Sequence, residues 1–332
     1  MIKIAVLGSN SFSGSHFVNY ALDNTEAQII GISRSSEPDS TFLPYAYKKE
    51  RSARFSFHRL DLNKDLEDIL GLLDKERPET IINFASQGEV RNSWRWPEQW
   101  YQTNVVALVN LANQLKDRSY IRRFVEISTP EVYGSTGINV KEGRVYSPGT
   151  PYGASRAAGD QFLELIHRRN NFPVVFTRAA NVYGPHQQLF RIIPKTIIQF
   201  KKGEKIELHG GGKSERAFIH IKDVADATLK IAQDGKQGEV YHISPDEQTI
   251  SIYDLVNKIA CITSTEFDKM VIVTGENFGQ DALYSLSSEK IANELNWKPK
   301  ISLDDGINQV VEWVNDNWEI IKDLPVEYIH KP

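Results

Sequence analysis

Short β-branched apolar runs alternate along the chain with longer segments whose apolar residues recur every three or four positions. Residues 2–8, IKIAVLG, are a compact apolar run closed by glycine and predict a buried strand. Residues 11–24 place Phe12, Phe17, Tyr20 and Ala21 at helical spacing. Further strands are predicted at 28–33, within 53–62, and at 80–86, 124–129 and 174–182. Helices are predicted up to Lys75, between the strands at 80–86 and 124–129, and from Tyr152 to Arg169. Such alternation predicts an α/β fold: a doubly wound parallel sheet of Rossmann type. After about residue 185 the alternation weakens. The stretches 190–203 and 207–224, a helix at 223–234 and the segment 285–320 predict a smaller C-terminal α/β lobe. The division is then 1–184 and 185–332, with the chain crossing between lobes more than once.

Composition narrows the function. The 332 residues are 40% hydrophobic and 25% charged, as expected of a globular chain with a real core. The net charge is −4 and there is no basic tract, which argues against a nucleic-acid partner while leaving room for an anionic ligand held by a few arginines. Cys261 is the single cysteine, so no intrachain disulfide is available and a reducing cytoplasm fits. The opening MIKIAVLGSNS is interrupted too early for a signal peptide. No apolar run approaches the roughly 20 residues of a membrane span.

The first strand runs into the turn Gly8-Ser-Asn-Ser11-Phe12-Ser-Gly14 and then a helix. Small residues there let a backbone approach a pyrophosphate, whose charge the helix N-terminus binds. Ser11 stands where a glycine is usual. The second strand ends Gly31-Ile-Ser33-Arg34-Ser35-Ser36 without the acidic residue that bonds a ribose 2′-hydroxyl. Ser33, Arg34 and Ser35 suit a 2′-phosphate, favouring NADP over NAD; a solvated surface arginine is the competing reading. Asp61 is placed either to accept from an adenine amine or to cap a helix. Tyr152 and Arg156 share one helix face, and a fixed cation there favours phenolate. His186, His209, His220 and His242 match no metal-ligand spacing, so no metal is expected. Trp94, Trp96 and Trp100 are expected to pack a helix against the sheet or a partner subunit, or else to stack a base.

These motifs, taken in order with FASQ (84–87), STPEVYG (128–134) and NVYGP (181–185), resemble the extended short-chain dehydrogenase/reductase family, specifically its nucleotide-sugar epimerases and dehydratases. Segments 210–227 and 279–291 are similar to the dTDP-glucose 4,6-dehydratase branch. LGSNSFSG, GISRS and residues 84–104 look closer still to hexosamine dehydratases of bacterial legionaminic acid pathways. The resemblance implies that residues 1–184 bind the dinucleotide and carry the catalytic groups, and that 185–332 mainly bind a nucleotide sugar. It implies Thr129, Glu131, Tyr152 and Arg156 as catalytic residues. It implies Gly8, Ser11, Phe12, Gly14, Ser33, Arg34, Ser35, Asp61, Leu62, Phe84, Ala85, Ser86, Tyr152 and Arg156 along a tightly bound cofactor. Gln87, Glu89, Arg91, Asn181, Arg191, Arg216 and Asp281 are implied for the substrate. A homodimer is usual in such proteins.

The family pattern is Tyr-x-x-x-Lys, and Arg156 stands at the lysine. Arginine keeps the charge but cannot lose its proton, so it cannot relay one. The expected chemistry has Tyr152 deprotonating the sugar C4 hydroxyl, Thr129 bonding the same oxygen, and Glu131 removing the proton at C5 before water leaves C5–C6. Glu131 disfavours a simple 4-epimerase. Pro130 replaces the aspartate that serves as acid in the dTDP-glucose branch. Asn277, Gly279 and Gln280 depart from that branch's Arg-Pro-Gly-His-Asp stretch and put a dTDP base in question. A UDP-glucuronate-type decarboxylase, with Arg91 meeting the carboxylate, is the second reading. A non-catalytic nucleotide-binding scaffold is the third.

Overall fold

The computed structural model describes residues 2–47, 53–135, 137–245, 249–275 and 283–330. Its centre is a seven-stranded, all-parallel sheet. In chain order the strands are β1 (Lys3–Leu7), β2 (Gln28–Ser33), β3 (Phe55–Arg59), β4 (Thr80–Asn83), β5 (Arg123–Ile127), β6 (Val174–Ala179) and β7 (Val240–Ile243). Their spatial order is β7-β6-β5-β4-β1-β2-β3. The order reverses between β1 and β4, and such a switch point leaves a ligand crevice beyond the strand C-termini.

The strands are apolar on both faces because helices cover both. Ala5, Val6 and Leu7 are at most 1% exposed. One face packs under the Phe12–Asn24 helix with Phe17, Val18 and Ala21; the other packs under the Leu108–Leu115 and Pro151–Asn170 helices with Leu108, Leu111 and Leu163.

Two features escaped the hydrophobic pattern. The run 174–182 is two strands: after Ala179 the chain leaves the large sheet, and Asn181–Tyr183 pairs with Phe218–His220. The four-residue β7 then returns to the sheet edge, with Val240 opposite Phe176. The helix before it, Ile221–Asp234, packs against Phe12–Asn24, and the Tyr20 hydroxyl donates to Asp226 at 2.7 Å. Residues 221–243 thus add a strand and a helix to the dinucleotide-type domain.

The smaller lobe has its own core. Helices Ile192–Lys202, Ile252–Ile262 and Leu303–Asp316 meet through Ile193, Ile197, Leu255, Ile259, Ile307 and Val310. It is tied to the large domain at Thr41, whose carbonyl accepts from Trp313 Nε1 at 3.2 Å and pairs with His186 Nδ1 at 2.7 Å.

Candidate active site

The crevice at the β1/β4 switch point is shaped by missing side chains. A Cβ on Gly8, at φ +76°, would lie 2.9 Å from the Ala85 nitrogen, and one on Gly14 would lie 2.1 Å from the Gly8 carbonyl oxygen. Only glycine lets these three backbones converge. Ser11 is the N-cap of the following helix: its hydroxyl accepts from Gly14 N at 3.1 Å and donates to the Gly8 carbonyl at 2.7 Å. Its side chain is thereby held inside the turn, which explains how a serine fits where glycine is usual. Phe12, Leu62 and Phe84 are buried beneath, and Ala85 is half-buried.

Asn10, which the sequence reading passed over, locks the second half of the crevice. Its amide donates to the Ser35 carbonyl at 2.9 Å and the Ser36 carbonyl at 3.1 Å, and its backbone N–H donates to Ser33 Oγ at 3.2 Å. Arg34 is half-buried and Ser35 exposed at the end of β2. Arg59, at the end of neighbouring β3, donates through Nε to the Arg34 carbonyl at 3.4 Å. The Arg59 guanidinium therefore stands beside the Ser33–Ser35 segment, which itself carries Arg34. Asp61 is not a helix cap: that helix starts at Leu66, and the Asp61 carboxylate accepts from Asn63 N at 2.9 Å in a local turn. Ser86 is exposed on the loop after β4.

The reacting end lies beyond β5. Thr129 is 6% exposed and caps the turn Pro130–Tyr133, its hydroxyl accepting from Glu131 N at 3.2 Å. Thr150 caps the Pro151–Asn170 helix by accepting from Gly153 N at 3.0 Å. A Cβ at Gly153 would stand 2.8 Å from the Glu131 carbonyl oxygen, so the first helical turn rests directly on the Glu131 backbone. Gly153 was not marked from sequence. Gly153→Ala is expected to push the helix start off this contact, costing about 1–3 kcal/mol of stability with a larger loss of turnover. Thermal melts compared with kcat test it; unchanged kcat would mean the contact does not set the site.

Burial raises the Tyr152 phenol above its ordinary range, while the Arg156 guanidinium and a hydrogen bond with Thr129 pull it back. Glu131 opposes that pull and Arg191 reinforces it, which brings both groups into the electrostatic reach of the phenol. Arg156 is 3% exposed and ion-paired with Glu126, which is wholly buried, at 2.7 Å. Glu126 also accepts from Asn83 Nδ2 at 2.7 Å, and Asn83 Oδ1 accepts from Ala85 N at 3.1 Å. A continuous bonded chain thus runs from the crevice loop through Asn83 and Glu126 to Arg156. The Arg156 Nε is buried with no protein partner, a donor left over beside Tyr152. That orphan donor and the glycine cradle fit a dinucleotide whose nicotinamide ribose lies against Arg156.

One turn further along the helix, Asp160 accepts from Ser128 Oγ at 2.6 Å and from Arg178 Nη2 at 2.8 Å. Asn104 fixes the loop after β4: its side chain accepts from Gln87 N at 2.8 Å, and donates to the Gln87 carbonyl and to Ser155 Oγ, each at 3.0 Å. Asn104 lies in a π-helical segment, Gln102–Ala107, inside the long helix, a distortion common at functional sites.

The residues expected at the substrate divide. Asn181 and Arg216 come together on adjacent segments, for Asn181 N donates to the Ala217 carbonyl at 3.0 Å. Arg191 is the N-cap residue of the Ile192–Lys202 helix, within the electrostatic reach of Tyr152 and Glu89. Gln87 is buried. Glu89 turns back on its own loop and accepts from Arg91 N at 3.1 Å and Asn92 N at 2.6 Å. Arg91 is exposed. Asp281, with Asn277, Gly279 and Gln280, lies outside the described residues. Trp100 is fully buried, Trp96 stacks on His330, and Trp94 is 65% exposed. Among the described residues no three His, Cys, Asp or Glu side chains gather as metal ligands. None of the described helices is long and apolar enough to cross a membrane.

Residues 4–244 match the model of the NAD dependent epimerase/dehydratase family. The chain belongs to that family. It is 32% identical to the mouse dTDP-D-glucose 4,6-dehydratase, over 95% of this chain and 89% of the relative. It is 27% identical to the dTDP-glucose 4,6-dehydratase of Haemophilus influenzae, over 94% of this chain and 98% of the relative. The crystal structure of dTDP-glucose 4,6-dehydratase from Streptomyces venezuelae, with NAD and TYD bound, superposes with a TM-score of 0.86 at 27% identity, covering 96% of this chain and 98% of that one. These likenesses support the nucleotide-sugar 4,6-dehydratase branch of the family, with a nicotinamide cofactor.

Proposed function

We propose that the protein is a nucleotide-sugar 4,6-dehydratase acting on an NDP-hexose or NDP-N-acetylhexosamine, with GDP-GlcNAc the first candidate, in the manner of a legionaminic acid pathway enzyme. The observation that carries this reading is Glu131, held on the same turn as Thr129 and within the electrostatic reach of Tyr152. A nicotinamide held along the Gly8–Gly14 turn and beside Arg156 would supply the hydride acceptor for sugar C4 and the hydride donor for C6, with a proton returning to C5. Tyr152, biased toward phenolate by Arg156, accepts the C4 hydroxyl proton. Thr129 bonds that oxygen and orients it. The C4 ketone acidifies the neighbouring C5–H, and Glu131 is the base that removes it. The C6 hydroxyl leaves as water. Pro130 is buried and has no proton to give, so Glu131 or a water must protonate the leaving group.

Mass spectrometry after incubation with GDP-GlcNAc, UDP-GlcNAc, dTDP-glucose, GDP-mannose and UDP-glucuronate, without added cofactor, tests the reading. Loss of about 18 mass units, one water, is expected from one substrate with the cofactor retained. Loss of about 44 units, one carbon dioxide, from UDP-glucuronate alone would replace it with decarboxylation.

The cofactor reading favours NADP. Arg34 lies between Ser33 and Ser35 in the chain and Arg59 is paired opposite Ser33, and none of these brings the negative charge that would repel a 2′-phosphate. Arg34→Ala is expected to weaken NADP binding about 10- to 100-fold while leaving NAD binding within a fewfold. Equal losses for both dinucleotides would remove the preference. A homodimer is supported by the apolar residues Tyr101, Val106 and Leu165, all exposed on the helices at 97–115 and 151–170.

A further inference from the structure

Residues 327–330 bridge the two lobes close to the cleft. Glu327 pairs with Lys195 of the small lobe at 2.6 Å. The Tyr328 ring meets Phe190 edge-on, with centroids 5.0 Å apart. The His330 ring stacks on Trp96 at 4.4 Å and 12°, and lies nearly parallel to Trp100 at 5.6 Å and 7°. Its Nε2 pairs with Gln99 Oε1 at 2.7 Å. The segment is therefore pinned on the small lobe at one end and on the large domain at the other.

Between these anchors, the Tyr328 hydroxyl lies 3.3 Å from His330 Nδ1, within the electrostatic reach of Glu89, Arg191 and Arg34. Arg191 acts on both Tyr152 and Tyr328, so one guanidinium links the reacting phenol to this second one. A cavity of about 670 Å³ opens here, bounded by Glu89, Arg91, Arg95, Phe190, Glu327 and Tyr328. Its size is that of a small-molecule site, and three arginines, Arg91, Arg95 and Arg191, stand on or beside its wall. A hydroxyl held by His330 on a wall that carries Glu89 and Glu327 beside the arginines suits a sugar diphosphate, which needs charge for phosphate and directional bonds for hydroxyls.

We propose that residues 327–330 complete the substrate site, with Tyr328 bonding the sugar diphosphate and His330 acting as the positioning residue that anchors the segment on Trp96 and Trp100. This rests on the nucleotide-sugar reading above, but not on dehydration. Tyr328→Phe is expected to raise Kd and KM about five- to tenfold with kcat within about twofold. His330→Ala should do the same, and His330→Phe, which keeps the stack but loses the bonds to Gln99 and Tyr328, should restore part of the affinity. Bound dinucleotide should be unchanged throughout. The measurement is equilibrium binding of the same five nucleotide sugars to the cofactor-loaded full chain, with KM and kcat beside it. Affinity indifferent to Tyr328→Phe and His330→Ala overturns the proposal, as does loss of dinucleotide with KM unchanged. Tight binding that responds to both variants, without release of water from any substrate, upholds it and sinks the dehydratase reading. No binding of any of the five to the unmodified chain overturns both.

Discussion

Glu131→Gln should divide the reaction in two. The variant keeps the Thr129–Tyr152 hydrogen bond and the Arg156 charge, so the sugar is still oxidised at C4. It lacks the base for C5, so product formation should fall about 10²- to 10⁴-fold. The reaction then stops at the 4-ketone, and the near-ultraviolet absorbance of reduced nicotinamide should rise and persist when substrate is added. Tyr152→Phe should block the earlier step, giving equally slow product with no such absorbance. The contrast is diagnostic because both side chains are positioned by the same contact, the Gly153 turn resting on the Glu131 backbone. Persistent absorbance excludes a fold defect in Glu131→Gln, and an unchanged thermal melt excludes one in Tyr152→Phe. Turnover of Glu131→Gln at the unmodified rate would place the C5 base elsewhere, and the dehydratase mechanism would lose the residue on which it stands.

What the sequence made legible follows from how local each signal is. The strands near 2–8, 28–33 and 124–129 are dense apolar runs, and their β-branched residues report burial on two faces without any tertiary knowledge. β7 is a four-residue run, VYHI, whose place parallel to β6 depends on the chain returning after the intervening residues 180–239, and no local pattern announces that. The same distinction holds at the site. Gly8, Gly14, Thr129, Tyr152 and Arg156 were visible because a turn, a strand end or a helical spacing carries each. Asn104 and Asn83 were not, because their role is to bond segments far apart in sequence, to Ser155 and Glu126 respectively. Ser11 and Asp61 were visible as residues yet ambiguous in role, and backbone geometry assigned them to an N-cap and a local turn. Glu126 had a signal that was missed: an acidic residue inside an apolar parallel strand has to find a buried partner. The departure of Arg156 from the lysine pattern is intelligible only with that partner in view.

Arg156 and Glu126 therefore have to be tested as a pair. Arg156→Met removes the cation that draws Tyr152 toward phenolate, and kcat should fall about 10²-fold or more. Arg156→Lys keeps a point charge and should retain most of the activity. Burial pushes the Glu126 carboxyl up from 4.5 to about 7, with Arg156 opposing the shift and Asp160 adding to it. The folded value lies above the unfolded one, so between about pH 4.5 and 7 the folded chain holds the extra proton. The stability this group contributes is full below that window and falls as pH rises through it. Glu126→Gln preserves shape and one of the two accepted hydrogen bonds but cannot ionise, and should flatten that section of the stability curve. In Arg156→Met the carboxylate is left without its counter-charge once it ionises, a defect that costs about 3–5 kcal/mol for a buried pair. Its loss of stability should accordingly be larger at pH 8 than at pH 5.5, where Glu126 is protonated. Chemical denaturation of the three forms across that range decides the matter: parallel curves for the unmodified chain and Glu126→Gln would mean that Glu126 does not titrate there, and that Arg156 is held by a permanently ionised partner.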